Sequence, residues 1–413
     1  MATSRTFNDM LNEYTANPIL AEEFQKDNYI FDKMDRDDDW TGQGTLIVPF
    51  KSAGASSVSF GALTGSTDIA EDKYVRGSIS TQKEVWGSMI FHHRDLMEHE
   101  KLSEKNLLRI LPDTITDFMD YMKMVVAINL LNGVSFAKLT SDGAVGGTMV
   151  VNRPDRFRIG QKVFVDDDNS APASGYVRTI DINTKTVTLY SARSGGAVVD
   201  LSAYTTAQKA KCYNEGQQAD GFLDLKNALL SSTNGGSTTL YGATKTDSPY
   251  TQAINVNGSS IDASNILEKI FDGLTDTQTF GRGKPVDVLM SYKNFGAAVK
   301  SADISKGAFN VIPNSRKAEP YAWKEITIGS VNGDMLRLVG LHEMDDDYMP
   351  IIDWRGIRFH SNGFFKKRRA PDGKEYFEDR LTTGYVYIVD ICLFGEFTVN
   401  RPSHQGIIHS ISF

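Results

Sequence analysis

His92, His93 and His99, with Glu98 and Glu100 beside them, carry ring nitrogens and carboxylates from which a metal site could be built. Zinc needs three or four ligands on one tetrahedron, and a helical H-E-x-x-H meets this by placing two imidazoles one turn apart. The spacing here is different and no third-ligand motif follows, so these read as ordinary surface or interface histidines. Asp35, Asp37 and Asp39 imitate the opening of a calcium loop. Its sixth position, however, is Trp40 where glycine must turn the chain, and its twelfth is Leu46 where a bidentate glutamate belongs. The acidic triplets at 166–168 and 345–347 read as turns. Gly281-Arg282-Gly283-Lys284 holds two glycines and a lysine, but a phosphate-cradling loop needs GxxxxGK before Ser or Thr, and Pro285 stands there. There is no GxSxG elbow, and Cys212 and Cys392 read as two small buried hydrophobes. The sequence nominates no catalytic residue, no cofactor-binding residue and no metal ligand.

Charge supplies the next candidates. Lys366, Lys367, Arg368 and Arg369 form the sharpest positive cluster in the chain. Such a run suits phosphate or the carboxylates of another subunit. Pro371-Asp372-Gly373 just beyond it marks a turn, as in the solvated arm of a hairpin. Acidic counterparts are available in Asp37, Asp38 and Asp39 and at 345–347. Exposed pairs contribute only about 0–1 kcal/mol each, so they orient subunits more than they hold them. An inter-subunit role is expected for Lys366, Lys367, Arg368, Arg369, Asp37, Asp38 and Asp39, and for Trp86 in a strand-like run. The 413-residue chain as a whole is acidic, with 44 Lys and Arg against 52 Asp and Glu for a net charge of −8. That balance argues against a general nucleic-acid binder.

The elements that position these groups follow from periodicity. Residues 1–40 are polar and aperiodic and read as an extended arm. TLIVPF and SISTQKEVWGSMIFHH read as two strands joined by a Gly-, Ser- and Ala-rich segment, a long hairpin unable to bury a core alone. Leu108, Leu111, Ile115, Phe118, Met119, Met122, Val125, Val126 and Leu130 form one apolar stripe within 103–133. Pro112-Asp113 suits the first turn of that helix and Asn132-Gly133 its stop. From 150 to about 205, FRIGQKVFV, SGYVRTIDI and KTVTLYSA are strands between turn clusters, as in a small inserted barrel or sandwich. Ile266, Leu267, Ile270, Phe271 and Leu274 predict a helix capped by Asp262 or Ser264. VLMSYKNFGAAVK reads as strand, turn and helix, and Asn332-Gly333 as a hairpin turn. MPIIDWRGIRFH and GYVYIVDICLFGEFTVN add strands. Without βαβ regularity the class is α+β. No run approaches the ~20 apolar residues of a membrane span, and no signal peptide opens the chain, so a cytosolic protein with no membrane contact is expected.

This order of parts resembles the major capsid proteins of tailed bacteriophages, which share the Hong Kong 97-like capsid fold. The resemblance spans nearly the whole chain. It is carried by architecture and by VLMSYKNFGAAVK, which is similar to a segment of the family's axial domain. It implies an N-terminal arm at 1–40, an E-loop hairpin at 41–91 and a peripheral domain with a long spine helix at 92–149. It implies further a small all-β insertion domain at 150–210, an axial domain at 211–350 and return strands of the peripheral domain at 351–413. The function implied is that of a virion protein without catalysis or cofactor, assembling in the host bacterial cytoplasm. Its homo-hexamers and pentamers would form an icosahedral head around double-stranded DNA, which they enclose without sequence-specific binding. The implied partners are a separate scaffolding protein, a portal and a cement protein. A charged helical scaffolding segment, carried by some family members at the N-terminus, has no counterpart here, which implies either a separate scaffolding protein or a processed chain; Met1 favours the separate scaffold. The rival readings are a tail or baseplate component, and a metal-dependent hydrolase using His92, His93 and His99.

Overall fold

The computed structural model describes residues 28–37, 40, 44–53, 73–92, 104–133, 135–167, 171–206, 210–304, 325–329, 335–361, 366–368, 376–381 and 384–412. The chain divides into two compact units, Met1–Ala127 with Leu225–Phe413, and Ile128–Asp224.

The first unit is organised around Gly384–Val399, a sixteen-residue strand. Its sequence is rich in β-branched and aromatic side chains, which fit a pleated surface covered by neighbours. Lys83–His92 runs antiparallel along it, in register from Val386 opposite His92 to Gly395 opposite Lys83. Lys366–Lys367 and Phe377–Leu381 pair with the same strand. They occupy its other side, because Cys392 and Ile388 are each paired twice. Ile357–His360 continues on Val399 to Glu396, and Asp35–Asp37 adds to it in parallel.

Leu46–Ala53 and Lys73–Ile79 form a separate antiparallel hairpin, from Leu46 opposite Ile79 to Ala53 opposite Lys73. This corrects the expected single return strand over 78–93. The chain breaks at Ser80–Gln82, and the ten residues after it pair with Gly384–Val399 instead. The hairpin's apolar face is fixed through Phe50, whose ring stacks on Tyr241 at 6.1 Å, and through Ser78, whose N–H donates to the Tyr241 carbonyl. The segment expected at its tip, 54–72, lies outside the described residues, as does most of the expected arm.

The long helix spans Glu104–Asn132, 29 residues or about 44 Å. Ile115, Met119, Met122 and Val126 are buried along its stripe. Pro112 stands inside the helix and not in its first turn, which corrects the expected start. The apolar repeat continues on both sides of the proline, and the helix runs through it with one backbone donor fewer. The stop is as expected: Gly133 adopts φ +95°, open to glycine at little cost, and its N–H returns to the Asn129 carbonyl at 3.3 Å.

A second sheet in this unit runs, in order, Ile254–Asn257, Gly406–His409, Tyr348–Ile352, Asp287–Ser291, Met335–Leu341 and Glu325–Gly329. Two of its pairings are parallel and three antiparallel. Helices Ile266–Thr279 and Tyr292–Ile304 give Ile266, Leu267, Ile270, Leu274, Phe295 and Ala298 to a core shared with Val288, Met290, Leu338, Ile351 and Ile408. The expected cap residues are corrected. Asn265 is the N-cap, and Asp262 instead accepts the N–H groups of Ser264 and Asn265. Within 351–413 the last strand, Gly406–His409, joins this second sheet, so that span does not return to one sheet alone.

The second unit is a closed antiparallel barrel. Its strands run Ala137–Lys138, Lys211–Asn214, Lys162–Asp166, Ala173–Asp181, Thr186–Tyr190 and Thr148–Val150. A bridge between Leu139 and Val151 joins the last strand to the first. Closure removes free sheet edges, which an isolated small sheet would expose. Met149, Val163, Val165, Val177, Val187, Leu189 and Cys212 are buried within this unit. The mixed helix-and-sheet composition of the two units is the α+β class read from the sequence.

Candidate assembly surface

Alternation along Lys83–His92 gives its sheet two different faces. On one, Met89 and Phe91 are buried, and Gly87 lies so close to the long helix that a Cβ there would sit 2.3 Å from the Phe118 ring. On the other, Trp86 and Ile90 remain 49% and 41% exposed. Trp86 meets Phe394 edge-on at 5.8 Å and donates its indole N–H to Glu84 at 2.9 Å. Ser88 donates to the Asp390 carboxylate at 2.6 Å, and Arg368 lies 3.7 Å from the same carboxylate with its guanidinium over the Phe377 ring. The face thus presents two large apolar groups beside a charged strip.

The sheet brings together Trp86 and the basic run. Lys366 is the register partner of Cys392, which pairs on its far side with Trp86. Lys367 lies opposite Ile391, and the Arg368 N–H donates to the Asp390 carbonyl. Asp37 sits elsewhere in the sheet. It is opposite His360 on the added parallel strand, and His360 is opposite Glu396, four residues from Cys392 along the long strand or roughly 13 Å. Its carboxylate is 3.2 Å from His360 Nδ1, while Nε2 of that ring is 2.9 Å from Thr398 Oγ1. Asp38, Asp39 and Arg369 lie outside the described residues, as do His93, Glu98, His99 and Glu100.

Two of the motifs weighed for metal or phosphate, the GRGK run and the 345–347 triplet, have packing roles. Gly281 and Gly283 face the Ser403 and His404 carbonyls so closely that a Cβ would sit 2.0 and 2.2 Å away. The Lys284 N–H donates to Asp353. Asp347 accepts from Lys226 at 2.7 Å. Among the described residues no group of three or more His, Cys, Asp and Glu could hold a metal ion, and no helix is long and apolar enough to cross a membrane.

Two buried carboxylates were missed in the sequence. Asp287, fully buried, accepts two bonds from Arg337 at 2.8 and 3.0 Å, one from Tyr29 at 2.8 Å and one from Trp354 at 2.5 Å. Asp353 accepts from Arg355 and from the Lys284 N–H. Burial pushes its carboxyl up, but these donors outweigh burial and hold it below the ordinary value. Residues scattered from 29 to 355 leave no local spacing to find. The only signal was the presence of single charges inside apolar runs, as in PVDVLM and PIIDW.

No family model matches the chain, and no curated protein matches it. Solved structures do. The chain is similar to a protein of the Cyanophage A-1(L) capsid asymmetric unit at 12% identity, covering 90% of this chain and 89% of that one, with a TM-score of 0.48. It is similar to a chain of the capsid of a native GTA particle at 10% identity, covering 100% and 93%, TM-score 0.45. It is also similar to a chain of the holo-SrpI encapsulin complex from Synechococcus elongatus PCC 7942 at 6% identity, covering 100% and 93%, TM-score 0.41.

Proposed function

We propose that this chain is the major capsid protein of a tailed bacteriophage, a shell subunit of Hong Kong 97-like fold. Its copies form hexamers and pentamers, and these close into an icosahedral head around double-stranded DNA. The observation that carries this reading is the exposed face of the long sheet. Trp86 and Ile90 stand on a strand into which the Leu46–Ile79 hairpin feeds directly, beside the strip of Arg368, Asp390 and Ser88. Apolar side chains rimmed by charge on a regular sheet suit contact with another subunit. Many weak contacts repeated over many copies multiply into a stable shell, and head-to-tail contacts generate rings. The role is structural, with no step of catalysis. The net charge of −8 keeps the wall from adhering to enclosed DNA. Scaffolding, portal and cement proteins are its expected partners, the virion its location and the host cytoplasm its site of assembly. Negative-stain electron microscopy of the protein, expressed alone and with its genomic neighbours, tests the reading. Closed shells are expected; tubes or isolated oligomers in both preparations would overturn it in favour of a tail or baseplate part.

A further inference from the structure

The segment at 28–37 is bound to its own body by more than a strand pairing. Asn28 caps the single turn Tyr29–Lys33, its side-chain oxygen accepting from the Ile30 and Phe31 N–H groups. Tyr29, Ile30, Phe31 and Met34 are buried. Phe31 meets Phe359 edge-on at 5.2 Å, and Tyr29 meets Trp354 at 6.3 Å. Tyr29 then reaches the buried Asp287 carboxylate. Asp35–Asp37 follow as a strand, and the Asp37 carbonyl accepts the Ser361 N–H at 3.0 Å.

Of the four bonds that Asp287 accepts, the segment supplies one and the body three, from Arg337 and Trp354. The ion pair and the indole bond do not involve Tyr29. The body therefore presents a socket that stays formed whether or not the segment occupies it. Re-exposing the four large side chains Tyr29, Ile30, Phe31 and Met34 disfavours the open state by on the order of a thousandfold or more. A preformed socket could in principle receive this segment from its own chain or from another copy. The connection decides between them. From Asp37, paired on His360, to Leu46 is nine residue steps, a reach of at most about 32 Å. The hairpin that begins at Leu46 is fixed on Tyr241, whose hydroxyl in turn accepts the Val399 N–H of the long strand. With both ends of so short a tether on one body, the local concentration of the chain's own segment is of millimolar order.

We propose that residues 28–37 are the fixed root of the N-terminal segment, a clasp closed in cis on Asp287. Any exchange of N-terminal chain between copies would then be confined to residues before Asn28. The proposal does not depend on the shell reading, since the clasp lies within one chain. Asp35 and Arg358 are exposed register partners on adjacent strands, with backbones about 5 Å apart, and Cys212 and Cys392 are buried. The full chain is made as Asp35→Cys, as Arg358→Cys and as the double variant, and each is treated with a short bis-maleimide. The double variant is expected to give an internally linked monomer, and the two single variants, mixed before assembly, no covalent dimer. A dimer from the mixture, or no link in the double variant, would overturn the proposal. Tyr29→Phe removes the segment's one bond to Asp287 and should raise amide exchange over 30–34 about tenfold. Unchanged exchange would remove Asp287 as the clasp.

Discussion

Gly87 is the point at which the long helix meets the long sheet, and its missing side chain is what lets them approach. A Cβ there would lie 2.3 Å from Cζ of Phe118. Gly87→Ala should therefore force the ring aside and destabilise the subunit by about 1–3 kcal/mol. Pairing it with Phe118→Leu should recover part of the loss, and a thermal melt of the single and double variants measures both. A second expectation concerns three histidines, His360 and His409 buried and His404 partly buried. Burial is the leading cause that pulls His360, His404 and His409 below the ordinary value of 6.5, in His360 against the opposing pull of Asp37. A folded-state value below the unfolded one means that the unfolded chain binds more protons in this range, so stability is full above about pH 6.5 and falls as pH drops below it. Melting temperature should decline from pH 7 to pH 5, and His360→Gln should make that decline shallower. A flat profile in the parent would show that these rings are free to protonate in the fold.

Val125 stands in the second half of the long helix, where the elements on either side depend on it. Proline at 125 would remove a backbone bond and push its ring against the preceding turn, at a cost of about 3 kcal/mol or more. Val125→Pro should lower the melting temperature sharply and give no shells. Pro112, already inside the same helix, makes the contrast useful, because Pro112→Ala should if anything stabilise it. This helix was legible because its stripe, from Leu108 to Leu130, persists for about six turns; the proline misled only about the start. The barrel strands were legible from alternation between turn clusters, and closure through Leu139 and Val151 was not, since a single bridge has no sequence pattern. The run from Ser78 to His93 was read as one strand because no proline or Asn-Gly turn signal interrupts it, although Ser80 to Glu84 are all polar. Which partner each half finds is decided by Tyr241 and by Gly384–Val399, both distant in sequence. Of the surface, Trp86 and the basic run were nominated from residue type, and their shared sheet follows from register alone. The Asp287 cradle draws on four separate elements and was invisible for that reason.

Taken as one molecule, the chain separates what holds a subunit together from what is left over for its neighbours. The second sheet and its two helices share a continuous core, the barrel closes on itself, and the root at 28–37 is clasped to the body. The hairpin is different. Val48 and Phe50 are buried against the body, whereas Ile47 and Tyr74 are 54% and 60% exposed on a two-stranded sheet. A two-stranded ribbon is marginal by itself, so the part beyond Phe50 gains most if another copy covers it. Replacing residues 54–72 by a short turn leaves every contact of Phe50 and Ser78 with Tyr241 in place. The truncated subunit should therefore fold with a melting temperature close to the parent's, and closed shells should be lost because the covering contact is gone. Size-exclusion chromatography and electron microscopy of the same preparation read both outcomes. Normal shells from the truncated chain would show that the hairpin is not the joint. A truncated chain that failed to fold would show that the hairpin belongs to the subunit's own core and has nothing left to offer a neighbour.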